Sequence, residues 1–249
     1  MDLGLHGRVA LVTGAGRGIG AAIARALAAE GCDVALVELA VDGPVQRVAE
    51  EIRALGRRAH PVACDVRDFD AAGSAVERVV RELGGLHVLV CNAGITRDAV
   101  SWKMSEAEWD DVLAVNLKGC FNFVRAAVPA LREAAWGRVV AVSSINGLRG
   151  KFGLANYAAS KAGLVGLAKS LARELGAFGV TVNVVAPGMV LTDMVRTLPD
   201  EVLEGARSEA VTGRLAEPGE VASAVTFLCS EAAGSITGET LRVDGGQYL

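Results

Sequence analysis

Tyr157 and Lys161 stand four residues apart in the stretch Asn156-Tyr157-Ala158-Ala159-Ser160-Lys161. On a helix this spacing puts a phenol and an ammonium on one face, one turn apart. A free tyrosine titrates near ~10 and is a poor base at neutral pH. A neighbouring cation favours the phenolate and lowers that value. Lowering it to about 7 takes roughly 4 kcal/mol, at about 1.36 kcal/mol per unit. A phenol tuned in this way exchanges a proton with a carbonyl or alcohol oxygen. The same pair occurs on many ordinary helix surfaces, so it gains meaning only if the rest of the chain supplies a cofactor and a cleft.

The cofactor signal lies at the other end of the chain. Residues 8–13, RVALVT, form a short apolar run that feeds into Gly14-Ala15-Gly16-Arg17-Gly18-Ile19-Gly20. An alanine-rich helical stretch, 21–30, follows and is closed by Gly31. Strand, glycine loop and helix in this order are the setting a dinucleotide fingerprint requires. Gly14 permits the tight turn, Gly18 lets the backbone approach a pyrophosphate, and Gly20 allows the helix to pack on the strand. Helix-start N–H groups, at Ile19 and its neighbours, would face the phosphates. Residues 33–38 read as the second strand, with Glu38 at its carboxyl end and Leu39 next. An acid there accepts hydrogen bonds from ribose hydroxyls and repels a 2′-phosphate, which favours NAD(H). Arg17 is a cation that would suit NADP(H) instead.

Strands and helices alternate throughout. Further strands are read at 58–63, 86–91, 138–143, 180–186 and 240–243, and most are continuously apolar. Helices are read at 44–55, from an Asp68 cap to Leu83, from the capping box Ser105-Glu106-Ala107-Glu108 past Asn116 toward Ala135, from Tyr157 to Leu175, and at 218–229. The pattern predicts a single α/β domain over 1–249: a Rossmann-type, doubly wound parallel sheet buried on both faces. Gly14, Glu38, Asp65, Asn92, Ser144 and Pro187 each fall just past a strand end, on the edge where such sheets bind ligands. Residues 189–213, with Met189, Leu191, Met194, Val195 and Leu198, break the rhythm and read as a lid over the substrate.

The chain has 249 residues, 51% hydrophobic and 22% charged, with net charge −4. That composition supports a large core, and an acidic chain without a basic run does not suit nucleic acid. Five scattered cysteines form no CxxC pair and read as buried free thiols of a reducing compartment. The three histidines lack ligand spacing, so no metal site is expected. No run is long and apolar enough for a membrane span, and the N-terminus has no signal-peptide pattern. The expected location is cytoplasmic.

Taken together, these residues resemble the short-chain dehydrogenase/reductase family over nearly the whole chain. Thr13-Gly14 with Gly18 and Gly20 resembles its cofactor motif, and Asn92-Ala93-Gly94 its central-strand motif. Asn116, Ser144, Tyr157 and Lys161 match its catalytic tetrad in order and spacing. Pro187-Gly188, with Val190 and Thr192, resembles its nicotinamide-side motif. The resemblance implies that Tyr157 is the acid in reduction and the base in oxidation. It implies that Lys161 lowers the Tyr157 pKa and holds the nicotinamide ribose, that Ser144 binds the substrate oxygen, and that Asn116 holds a water leading from Lys161 to solvent. Asp65 and the Val66 backbone would contact adenine. Within the family, residues 92–98 (NAGITRD), Gly213-Arg214-Leu215 and 236–241 (ITGETL) resemble 3-oxoacyl thioester reductases. The implied substrate is a 3-oxoacyl thioester of acyl carrier protein or CoA, with an NAD-dependent dehydrogenase of another secondary alcohol as the alternative. Members that act on acyl carrier protein carry basic residues where this chain has Ala135 and Phe178. Trp136-Gly137-Arg138, Ile145-Asn146-Gly147 and Lys151-Phe152-Gly153 resemble acetoacetyl-CoA reductases. A homotetramer is expected, with small and apolar residues on almost every side of the Tyr157 helix.

Overall fold

A computed structural model describes residues 2–249 of the chain. Seven parallel strands run in the order β3-β2-β1-β4-β5-β6-β7. They are β1 (Val9–Thr13), β2 (Asp33–Glu38), β3 (Ala59–Ala63), β4 (Val88–Cys91), β5 (Gly137–Val142), β6 (Val180–Pro187) and β7 (Thr240–Val243). Successive side chains of a strand point to opposite faces, so a strand that is apolar throughout feeds two cores. In β1, Val9 and Leu11 enter one core while Ala10 and Val12 enter the other. The first core is covered by α3 (Phe69–Leu83), α5 (Gly119–Glu133) and α7 (Ala155–Leu175). The second lies under α1 (Gly18–Ala29), α2 (Gly43–Ala54) and α10 (Pro218–Cys229). This is the doubly wound sheet that the alternating pattern predicts.

The chain winds outward from β1 to β3, then returns to place β4 against the other side of β1. That reversal opens a crevice beyond the carboxyl ends of β1 and β4. Local signals set the helices around it. Asp68 caps α3, accepting from the Ala71 N–H at 2.9 Å, and Gly84 ends it at φ +86°. Ser105 and Glu108 form the expected capping box at the start of α4 (Glu106–Leu113).

The long helix read from Ser105 past Asn116 toward Ala135 runs as α4, a π-helical turn (Ala114–Lys118) and α5, so its middle is π rather than α. The 189–213 segment holds α8 (Asp193–Arg196) and α9 (Asp200–Glu209). Leu203, Ala206 and Leu215 form a small core of their own there, with Met189, Leu191 and Val195 packed against it. A further short helix, α6 (Asn146–Arg149), lies between Ser144 and α7.

Candidate active site

The glycine loop is held by β4. The Thr13 hydroxyl accepts from the N–H groups of Asn92 and Ala93, both at 3.0 Å. The Asn92 amide donates to the carbonyls of Thr13 and Gly14, again at 3.0 Å. Asn92, read as a cofactor ligand, therefore has its side-chain donor committed to positioning the loop. Gly14 sits at φ +65°, and a Cβ on Gly20 would run into the Gly14 carbonyl. The start of α1 has no side-chain cap and no acid in its first turn. Its first-turn N–H groups, Gly18 to Gly20, are left to an external acceptor, and the positive end of the helix dipole lies there. These features fit the pyrophosphate of a dinucleotide.

The Gly16 N–H donates to Glu38 Oε1 at 2.8 Å. This places one oxygen of the carboxylate at the loop. Leu39, just beyond it, is 72% exposed, and Arg17 is also exposed. Asp65 sits at the end of β3 in a bidentate pair with Arg67, the shortest contact being 2.7 Å, and the guanidinium holds its carboxyl below the usual range. Val66 is buried, and its carbonyl accepts from the Asn122 amide at 2.9 Å.

The four tetrad residues come together from three elements. Ser144 follows β5, Asn116 lies in the π turn, and Tyr157 and Lys161 lie on α7. Lys161 Nζ is 5.6 Å from the centroid of the Tyr157 ring. The electrostatics differ from the sequence expectation. Lys161 is 4% exposed and donates to the Val142 carbonyl at 2.8 Å. Burial lowers its own pKa to about 8. Tyr157 is not acidified by it: burial raises the phenol, a hydrogen bond with Ser144 works against that rise, and the charge of Asp98 adds to it. A lysine oriented by a strand carbonyl does not make the phenol acidic by itself. The phenol of the chain alone is thus held above its ordinary range, and its protonated form is the one that can donate to a carbonyl oxygen.

Asn116 reaches this site because the π turn aims it there. Its Oδ1 accepts from the Ile95 N–H at 2.8 Å, and its Nδ2 donates to the Ile95 carbonyl at 3.1 Å and to Ser160 Oγ at 3.0 Å. A π turn inside a helix commonly marks such a functional position. Gly94 explains itself beside it. A Cβ there would lie 3.3 Å from both Asn116 Oδ1 and Lys161 Nζ. Ala93 and Gly94 thus leave room next to the ammonium. On the opposite side, Ile145 N–H donates to the Pro187 carbonyl at 2.9 Å and Gly188 N–H to Val243 at 3.1 Å. Val190 is buried and bridged to Ala216, and Thr192 caps α8 with its methyl close to the space above Gly18.

Several supporting residues escape a motif reading. Ser160 donates to the Tyr157 carbonyl at 2.7 Å, and Ser143 donates to the Lys161 carbonyl at 2.7 Å. Asn156 is fully buried and donates to the carbonyls of Arg97 and Glu108, both at 3.0 Å. The adjacency of Asn156 and Ser160 to the Tyr/Lys pair is the only signal the sequence offers for them. All five cysteines are free and buried. No helix among the described residues is long and apolar enough to cross a membrane.

Comparison with known proteins agrees with this geometry. A family model described as enoyl-(acyl carrier protein) reductase matches residues 14–247. The 3-oxoacyl-(acyl-carrier-protein) reductase of Staphylococcus aureus (strain Mu50) is 44% identical, covering 96% of this chain and 98% of that protein. Its Escherichia coli (strain K12) counterpart is 43% identical over 99% and 100%. Nodulation protein G of Azospirillum brasilense is 42% identical over 96% and 97%. A Sinorhizobium meliloti crystal structure, provisionally named a short-chain alcohol dehydrogenase, superposes with a TM-score of 0.95 at 37% identity, covering 99% and 98%. A Rossmann-type sheet, a glycine loop open to phosphate and a gathered Asn116/Ser144/Tyr157/Lys161 set, carried on a sequence this close to such relatives, establish that the chain belongs to the short-chain dehydrogenase/reductase family of NAD(P)-dependent oxidoreductases.

Proposed function

We propose that this chain reduces a 3-oxoacyl thioester to the 3-hydroxyacyl thioester. The observation that carries the reading is the half-buried Tyr157, with the Lys161 ammonium 5.6 Å from its ring centroid, gathered with Ser144 on the ligand-binding edge of the sheet. A bound nicotinamide would supply the hydride. Ser144 holds the substrate oxygen as negative charge grows on it. Tyr157 delivers the proton to that oxygen. Lys161, oriented by the Val142 carbonyl, is placed to hold the nicotinamide ribose and to steady the phenolate once the proton has left. Asn116 keeps the path beside Gly94 polar, between Lys161 and solvent. The cofactor preference is NAD(H), supported by the Glu38 carboxylate at the glycine loop. The 189–213 segment closes over the acyl group.

The reductases of S. aureus and E. coli are named for an acyl-carrier-protein substrate, which supports the 3-oxoacyl class. The carrier is acyl carrier protein or CoA. The chain works as a cytoplasmic homotetramer. A groove between α5 and α7, lined by Phe121, Val128, Leu171 and Phe178, offers an apolar face to a second copy. The test is a steady-state assay with acetoacetyl-CoA and acetoacetyl-(acyl carrier protein), each with NADH and NADPH. Turnover of either thioester supports the reading. No turnover of any 3-oxoacyl thioester, alongside oxidation of another secondary alcohol, would replace it.

A further inference from the structure

The 189–213 segment is tied to the catalytic serine loop by one continuous set of hydrogen bonds. Gln247, four residues beyond β7, is 8% exposed and uses both ends of its amide. Its Oε1 accepts from the Met189 N–H at 2.7 Å, at the base of the segment. Its Nε2 donates to the Ala206 carbonyl of α9 at 2.8 Å. A Cβ on Gly188 would run into that Oε1, so glycine is needed there for the amide to approach. Arg149, at the end of α6, closes the connection. Its Nη1 donates to the Gln247 carbonyl at 2.9 Å and its Nη2 to Glu209 Oε2 on α9 at 2.9 Å. Its Nε donates to Asn146 Oδ1 at 3.3 Å, and the Asn146 N–H donates to Ser144 Oγ at 3.1 Å.

These contacts do different things. The Gln247 amide is buried and both its bonds are backbone-directed, so it fixes chain position rather than charge. The Arg149–Glu209 pair is half-exposed on the Glu209 side and acts as a releasable clasp. Between them they hold both ends of the segment against the loop that presents Ser144. We propose that Gln247 and Arg149 are positioning residues that couple closure of the 189–213 lid to the orientation of Ser144, and so set affinity for the acyl thioester. The proposal rests on the thioester-reductase reading.

Three variants test it: Gln247→Met, which removes both amide bonds at similar volume; Gln247→Glu, which keeps the acceptor for Met189 but loses the donor to Ala206; and Arg149→Met. Two readouts are taken on the full chain: steady-state kinetics with acetoacetyl-CoA, and hydrogen exchange of the 189–213 amides. Gln247→Met and Arg149→Met are expected to raise the KM for the thioester about five- to tenfold. Cofactor Kd stays within twofold. Exchange at Met189 speeds up in Gln247→Met but not in Gln247→Glu, while α9 exchange speeds up in both. Lower thermal stability with unchanged KM and unchanged exchange would mean an ordinary structural contact and overturns the proposal. Failure of the wild-type chain to turn over any 3-oxoacyl thioester would sink the substrate reading instead. The exchange pattern would then decide the coupling on its own.

Discussion

Replacing Glu38 with alanine should move the chain from NADH toward NADPH. Glu38 Oε1 already accepts from the Gly16 N–H at 2.8 Å, so the carboxylate is fixed at the mouth of the phosphate loop. On the proposed cofactor reading, its other oxygen would accept a charge-assisted bond from a ribose hydroxyl, worth about 2 kcal/mol. Losing that bond weakens NADH by about 30-fold. The same carboxylate repels a 2′-phosphate a few ångströms away by about 2 kcal/mol at a dielectric between protein and water. Removing it, with Arg17 left exposed nearby, strengthens NADPH by tenfold or more. The Gly16 N–H also loses its partner, which costs about 1 kcal/mol and lowers Tm by ~2–4 °C. Isothermal titration of the wild-type chain and Glu38→Ala with NADH and NADPH, alongside thermal unfolding, reads all three effects. Unchanged NADPH affinity, together with less than a threefold change for NADH, would refute the role given to Glu38.

Gly94→Ala places a methyl 3.3 Å from both Asn116 Oδ1 and Lys161 Nζ, so kcat should fall about 10- to 100-fold with little change in Tm. A rate within twofold of wild type would show that the space beside the ammonium is not used. Asn156→Leu leaves the carbonyls of Arg97 and Glu108 and the Tyr157 N–H without their buried partner, and should cost about 2–4 kcal/mol in urea unfolding. A cost below about 0.5 kcal/mol would contradict the packing described. Stability should also fall above pH 9. Burial pushes Cys32 up to about 12 and Cys64 up to about 11, so these thiols stay protonated in the folded chain while they ionise in the unfolded one. The unfolded state then binds fewer protons and stability is lost as pH rises from 9 toward those values. Lys161, lowered to about 8, acts in the opposite sense and offsets one thiol. From these three groups the net loss is small near pH 9 and approaches about 1.4 kcal/mol per pH unit near pH 10, checked by urea unfolding between pH 8.5 and 10.5.

The sheet was legible because continuous apolar strands and their spacing leave few alternatives, and the strand-end residues Gly14, Glu38, Asn92 and Ser144 fall on one edge as a consequence. The limits of that legibility lie where long-range contacts decide. Ala114-Val115-Asn116-Leu117-Lys118 has ordinary helical composition. Only the pull of Ile95 and Ser160 on the Asn116 amide marks it as a π turn. The Tyr157/Lys161 spacing reads correctly as one face of a helix. The Val142 carbonyl that takes up the Lys161 ammonium comes from 19 positions away and carries no local signal. For the same reason the Arg149–Gln247 contact, 98 residues apart in sequence, could not be anticipated. Gly188 was legible as a motif glycine, but the Gln247 amide that requires it was not.

The central claim is proton transfer by Tyr157, and single-turnover reduction of acetoacetyl-CoA tests it most directly. Tyr157→Phe keeps the ring and removes only the hydroxyl. The account requires the rate of NAD(P)H consumption to drop by about 10²–10⁴-fold while cofactor Kd stays within a few-fold of wild type. A phenylalanine variant that consumes NAD(P)H within tenfold of the wild-type rate would show that another group delivers the proton.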